Sequence, residues 1–354
     1  MRNCLALLAT VALLSLTGCL SAGPSVLKAD EVDYGRALGE AKKREIVALL
    51  VGLRYADAPA FLTVTQVIAA YTFTATATGA INSRPDPGGP AAGVSGTAAY
   101  SDHPTFTFTP TTGESYARAY IQPLSPALVL PLADSGIPID LLLRIAVQSI
   151  GGLRNAAMLG GTTGNGSPEF FELLAILRRL QLAGDVSMQY KPGANGGHVS
   201  LTLGSAAQPS RESAADIERV RQLLHLAPGN EPYPLVFGNA VSATRDLPVV
   251  TRSVLGILSS LGAEIRVPGE DVDRGATQPA IQLVGNETRP VILIHAARKV
   301  SGSAYAVVNY HQERFWIDDN DFDSKYALTV VQELMALAEI TDTSHAPVVT
   351  VPAN

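Results

Sequence analysis

The chain predicts an α+β protein, with a helical first half that carries an antiparallel hairpin and a second half in which an antiparallel meander packs against helices. Three patterns carry this. Apolar residues recur at helical spacing over 31–53 and 168–182. Residues 71–82 alternate threonine with an aromatic or small residue, the period of a half-buried strand. Beyond residue 184, short strand-like runs and helices succeed one another without the βαβ rhythm of a doubly wound sheet.

Taken in order, Glu31 to Leu53 reads as an amphipathic helix with Tyr34, Leu38, Ile46, Leu49, Leu50 and Leu53 on one stripe. Lys42, Lys43 and Arg44 fall mostly off it, either as a solvated face or against lipid headgroups. Asp57-Ala58-Pro59 turns the chain. The strand at 71–82 is expected to pair with Thr105 to Thr109, leaving 83–96, dense in Pro and Gly, as an excursion. Helices are predicted at 115–121, 126–135 and 139–150. The last is almost wholly apolar, so Arg144 within it requires a carboxylate or carbonyl partner. A glycine-rich stretch at 159–170 opens a helix at Pro168, capped by Ser167. Residues 185–191 and 197–203 form a hairpin, and helices follow at 214–225 and 249–261. Four runs, 280–285, 291–297, 304–310 and 314–318, make the meander. A helix from Asp323 to Ile340 lays Ala327, Val330, Val331, Leu334, Met335 and Ala338 on it.

The first nineteen residues hold one basic residue, Arg2, an apolar run from Cys4 to Leu16 and a small-residue site ending at Cys19. That is the pattern of a secretory signal peptide; the run is short of the roughly 20 residues a membrane span needs. Leu16-Thr17-Gly18-Cys19 resembles the lipobox of bacterial lipoproteins, where a peptidase cuts before a diacylated cysteine. The resemblance implies cleavage of residues 1–18 and a lipid anchor on Cys19, with a short tether through residue 30. A mainly helical part with a β-hairpin would follow at 31–183. The α+β part at 184–354 would be either separate or one domain with it. Several acyl chains hold a protein to a bilayer where one is marginal. Leu20, in place of an inner-membrane-retaining aspartate, implies the outer membrane facing the periplasm, with the inner membrane as the alternative. Residues 53–67, 139–155, 250–258 and 315–328 together resemble a group of predicted lipoproteins of Gram-negative bacteria with no assigned activity. That resemblance supports an envelope location and carries over no catalytic residues.

With Cys4 discarded and Cys19 acylated, no disulfide, thiolate nucleophile or cysteine-bound zinc is possible. A formal net charge of -6 without a long basic block argues against nucleic acid. For nucleophilic catalysis the nearest match is Gly113-Glu114-Ser115-Tyr116-Ala117, an elbow with alanine where glycine belongs. The six histidines are scattered, and no phosphate-binding glycine motif is present.

The densest charge lies at Asp318 to Asp323. Asp319, Asp321 and Asp323 repeat the first half of a calcium loop, but Ser324 and Val330 stand where glycine and glutamate should follow. Calcium is thus the one candidate cofactor, and none is otherwise expected. The competing reading is a strand-to-helix corner, where aspartate caps the helix and surplus charge meets Arg252, Arg298 or Arg314. The sequence as a whole points to a membrane-anchored envelope lipoprotein that scaffolds or binds another envelope protein. A periplasmic hydrolase using Ser115 or the Asp318–Asp323 cluster and a calcium-binding envelope protein are the alternatives.

Overall fold

A computed structural model describes residues 23–68, 71–82, 91–102, 105–159, 162–193, 197–204, 210–229, 231–239, 245–285 and 289–339. The leader and Cys19 lie outside the described residues. Helix α1 (Gly23–Arg54) begins inside the stretch read as a tether. Its stripe delivers Ile46, Val47, Leu49, Leu50 and Val51 to the core. Lys43 is tucked against the body, 4.1 Å from the centre of the Tyr305 ring and 2.5 Å from Glu40. The helix ends in a Schellman turn: the Asp57 N–H donates to the Gly52 carbonyl and the Ala56 N–H to that of Leu53.

The hairpin is longer than expected and paired differently. Strand β1 (Leu62–Ile68) pairs antiparallel with β4 (Thr105–Pro110), and β2 (Tyr71–Asn82) pairs with β3 (Ala91–Asp102). The two pairs are nested, so the chain runs out along β1 and β2 and returns along β3 and β4. Residues 91–96, read as part of a loop, are strand because Gly93 and Gly96 sit among alternating apolar and small residues that match β2 rung for rung. These strands pack chiefly on one another and form an arm. Phe61 anchors its root: it is buried and stacked on Tyr120 at 3.7 Å, and its carbonyl accepts the Thr111 N–H.

Short helical turns follow: α2 (Gly113–Tyr116) running into a π-turn at Ala117–Ile121, then α3 (Pro126–Val129) running into a 3-10 turn at Leu130–Ala133. Helix α4 (Ile139–Ala146) stops earlier than its apolar run suggests, and β5 (Val147–Ile150) continues from it. The stop is chemical. Guanidinium donors of Arg252 take the Arg144 and Ile145 carbonyls, and the Asn155 amide takes those of Arg144 and Val147, so the helix end is closed by side chains. Gly151 and Gly152, at φ 57 and 85, make the two-residue turn to β6 (Leu153–Arg154).

A small hairpin, β7 (Ala157–Leu159) with β8 (Thr162–Gly164), precedes α5 (Pro168–Ala183). Ser167 holds the cap position of α5, yet its hydroxyl bonds the Arg154 backbone instead. Strands β9 (Val186–Lys191) and β10 (His198–Leu203) form the expected hairpin, and α6 (Arg211–Leu223) packs on α5 through Arg179–Asp216 and Arg219–Glu172 pairs. Strands β11 (Tyr233–Phe237) and β12 (Leu247–Thr251) complete a six-stranded sheet of order β6-β5-β12-β11-β10-β9, in which only β11 and β12 run parallel. The helix expected from residue 249 starts later: β-branched Val249 to Thr251 are strand, and Ser253 caps α7 (Val254–Ala263) by accepting the Gly256 N–H at 3.0 Å. Gly262 lets α7 meet α1, since a Cβ there would lie 2.8 Å from the Leu50 carbonyl oxygen.

After α8 (Gly269–Asp273), the three-stranded sheet β13-β15-β14 comprises β13 (His295–Ala297), β14 (Ala304–Tyr310) and β15 (Glu313–Asp318), all antiparallel. Of the four strand-like runs, 280–285 forms no strand and 291–297 forms one only at its end. Val291, Ile292 and Ile294 are buried, but their segment finds side-chain acceptors in place of a ladder: Val291 N–H donates to Glu264 and Leu293 N–H to Ser324. Helix α9 (Phe322–Glu339) closes the structure, with all six predicted core residues buried. One hydrophobic cluster runs from Ile46 to Ala338 and joins the helices to both larger sheets. The fold is α+β, as the patterns imply. Among the described residues no helix is long and apolar enough to cross a membrane.

Candidate functional site

The acidic stretch is a corner between β15 and α9 in which every carboxylate is partnered, Asp321 and Asp323 sharing Arg289. Asp321 sits at the start of α9: its carbonyl accepts the Lys325 N–H, and its side chain accepts the Ser324 N–H at 3.2 Å and the Ser324 hydroxyl at 2.6 Å. Arg289 reaches Asp321 at 2.8 Å and Asp323 at 3.2 Å. Lys325 holds Asp319 at 3.3 Å, and Asp318 accepts the Trp316 indole N–H at 2.7 Å while lying 3.1 Å from His295. Desolvation pushes the Asp321 carboxyl up, but the hydrogen bonds from Arg289 and Ser324 outweigh it and hold the group below the ordinary carboxylate range.

The three candidate metal ligands, Asp319, Asp321 and Asp323, are therefore engaged by cations and backbone. Among the described residues no three metal-ligating side chains gather. The arginine that meets them is none of the three expected. Arg298 lies 3.6 Å from Glu313, and Arg252 is buried on carbonyls. Arg289 precedes a proline in a segment without periodicity, so only the fold brings it to the corner.

Behind the corner lies a buried charged group. Arg144, Glu264 and Arg252 are all largely enclosed; Arg144 lies 3.6 Å from Glu264 and donates to the Arg289 carbonyl at 3.0 Å, meeting the requirement set by its apolar helix. Burial pulls the Arg252 guanidinium down to about 10, against the charge of Glu264, and leaves it cationic at neutral pH. Ser115 is exposed on α2, after a strand that among the described residues pairs antiparallel with β1, whereas a nucleophile elbow tops a parallel sheet.

A concave site lies elsewhere. A cavity of about 600 Å³ opens between the end of α1, α8 and the β14–β15 turn, lined by Tyr55, Asp271, Arg274, Arg298, Tyr310 and His311 among others. Tyr310 stacks on His311 at 4.3 Å and tilts against Tyr55 at 4.8 Å. Tyr55 donates to Asp271 at 2.6 Å, Tyr310 donates to Asp57 at 2.5 Å, and Arg274 holds Asp271 at 2.6 Å.

No family model, curated protein or solved structure matches the chain.

Burial, the hydrogen bond to Asp57 and that carboxylate's charge push the Tyr310 phenol up to about 12, and the Tyr55 phenol is raised by burial and by Asp271. Both phenols stay protonated at neutral pH and serve as donors. Strain also concentrates here. Of the three non-glycine residues with positive φ among the described residues, Ala56 (φ 63) and His311 (φ 50) flank this cleft. Three rings in contact, Tyr310 stacked on His311 with Tyr55 tilted or edge-on to them, stand beside the Arg274 and Arg298 guanidinium groups and suit a ligand with a flat or apolar part and an acidic group. Sequence reading missed the cleft because its residues come from four separated stretches, at 55, 268–274, 298 and 310–313. The one local signal was the tight Tyr310–Glu313 turn.

Proposed function

We propose that the chain is a cell-envelope lipoprotein, held in the outer membrane by acyl chains on Cys19 and facing the periplasm, that works as a binding and assembly module. The observation that carries this is the leader, where charge, apolar run and Leu16-Thr17-Gly18-Cys19 stand in register. The cleft at Tyr55, Tyr310 and His311 supports binding over catalysis. Its acids Asp57 and Asp271 are tied to phenols and to Arg274, which makes them positioning groups for rings and cations. Its partner would be an envelope protein presenting an aromatic or acidic segment.

Fractionation tests the anchor: Cys19→Ala moves the protein from the membrane to the soluble fraction, and continued membrane recovery of the unacylated chain sinks it. A photo-crosslinking residue in place of Tyr310 tests the cleft in intact cells. The expected crosslink to one envelope protein is lost on Arg274→Glu; a crosslinking pattern indifferent to Arg274→Glu overturns the assignment.

A further inference from the structure

The arm is the part of the molecule that an anchor and a cleft leave without a role. Strands β2 and β3 pair over twelve residues each, Tyr71 with Asp102 through Asn82 with Ala91, without a register shift. Residues opposed in an antiparallel pair share a face, and faces alternate along each strand. One face therefore carries Tyr71, Phe73, Ala75, Ala77, Gly79 and Ile81, opposite Asp102 at the Tyr71 end and otherwise apolar or small partners such as Tyr100 and Val94. The other carries Thr72, Thr74, Thr76 and Thr78, with Ser101, Thr97 and Ser95 among their partners. The pairing of β1 with β4 repeats the division: Val64 with Phe108 and Val67 with Phe106 on one face, Thr63 with Thr109 and Gln66 with Thr107 on the other.

Three further features narrow what such a ribbon is for. No Asp, Glu, Lys or Arg occurs from Leu62 to Asn82 or from Ala91 to Ser101. Proteins that keep a strand edge in water protect it with charge, proline or a bulge; β2 and β3 have no proline or bulge and a single charge, Asp102 at the end of β3, although each is paired on one side only among the described residues. A lone two-stranded ribbon is also marginal in water.

The dimensions are those of a bilayer. Twelve residues at about 3.3 Å span about 40 Å, and a strand tilt of about 40° reduces this to about 30 Å, the thickness of the hydrocarbon core. The aromatic residues Tyr71, Phe73 and Tyr100 gather at one end of the apolar face, where the single charged residue of the pairing, Asp102, also stands. Such a girdle marks the lipid–water boundary of membrane barrels. In lipid an open ribbon leaves its edge amides unsatisfied, so the sheet must close, and further copies of a chain that supplies two such strands can close it.

We propose that β2 and β3 are membrane staves of an oligomeric β-barrel, in which copies of this chain pair edge to edge. The Phe73 and Ile81 face lies against lipid and the threonine face lines a water-filled lumen. About four copies are the minimum, since such barrels close at about eight strands. The inference rests on the envelope reading, because the lipid on Cys19 brings the copies to one bilayer.

The test uses the full chain, purified in detergent and placed in phosphatidylethanolamine–phosphatidylglycerol vesicles loaded with a quenched dye. The expected result is a particle with the mass of four or more chains in detergent, about eight strands or more, that releases the dye. Ala75→Asp with Ala98→Asp, on the lipid face, abolishes both assembly and release. Thr76→Asp, on the lumen face, keeps both. The body's thermal transition is the same in all three proteins, which shows that they fold. A wild-type chain that is acylated yet monomeric and non-leaking in vesicles overturns the barrel while keeping the anchor. Equal loss from Thr76→Asp overturns the two-faced assignment, and so does a water-soluble oligomer that tolerates the paired aspartates. If Cys19→Ala protein still assembles and releases dye, the barrel stands without the acyl chains, and a mass measurement showing wild-type Cys19 unacylated would sink the anchor alone.

Discussion

The body and the arm contain similar backbone geometry but satisfy their polar groups in opposite ways. In the body, long-range side chains do it: Arg252 closes α4, Glu264 accepts Val291, and Ser324 accepts Leu293. The arm relies on its ladder, with threonine, alanine and glycine along strands that lack charge from Leu62 to Asn82. A structure locked by its own side chains has one internal arrangement. A ladder with free edges is complete only when something pairs them. The contrast therefore separates a self-sufficient body from an arm whose final environment lies outside the single chain.

The sharpest way to break that contrast is to unlock the body. Arg252→Ala removes a buried cation and strands the Ile145 and Ala156 carbonyls it serves. It is expected to cost about 3–5 kcal/mol in urea unfolding, with the loss of near-native expression in a marginal host. A cost below about 1 kcal/mol, within the range of a surface change, would mean that water replaces the guanidinium and that the body is not locked as described.

A smaller effect is expected at the corner. Asp321→Ala removes the cap of α9 and the partner of Arg289, for about 1–2 kcal/mol. The pH dependence follows from its depressed titration. The unfolded chain takes up the proton first, near pH about 4, so this stability is fully present above that value and is lost as pH falls through the lower folded one. Wild type should lose stability faster than Asp321→Ala on acidification below pH about 4; parallel curves would show that the carboxylate does not contribute through its charge.

How much of this was legible depended on the range of the interaction. Local period sufficed for α1, α5, α9 and the β9–β10 hairpin, because each stripe or alternation meets the core directly. It failed at Val147 and Leu293. A helix end closed by Arg252 and an extended segment closed by Glu264 and Ser324 are decided by residues tens of positions away. The strand at 91–96 was hidden by Pro and Gly just before it, although the complementary alternation of β2 was in plain view. For the acidic corner, the need for a cap and for an arginine could be read, but which arginine could not. The aromatic cleft had no local signature, since Tyr55, Asp271 and Tyr310 meet only through the packing of α1 against β14.

The smallest effect bears most directly on the contrast. Thr76 and Thr97 face each other across the arm and are exposed. Thr76→Gly removes a cross-strand pair and adds unfolded-chain entropy, worth about 0.5–1 kcal/mol within the ribbon. If the arm is a separate unit rooted at Phe61, amide exchange should quicken along β2 and β3 while the global urea midpoint stays put. A midpoint that moves with the ribbon would tie arm and body into one cooperative unit, whose edges would then already be stabilised by the chain itself. Adding vesicles sharpens the measurement. Slow exchange restored in both strands only when lipid is present would place the missing stabilisation where the two-faced pattern of β2 and β3 puts it, in contacts beyond the single chain.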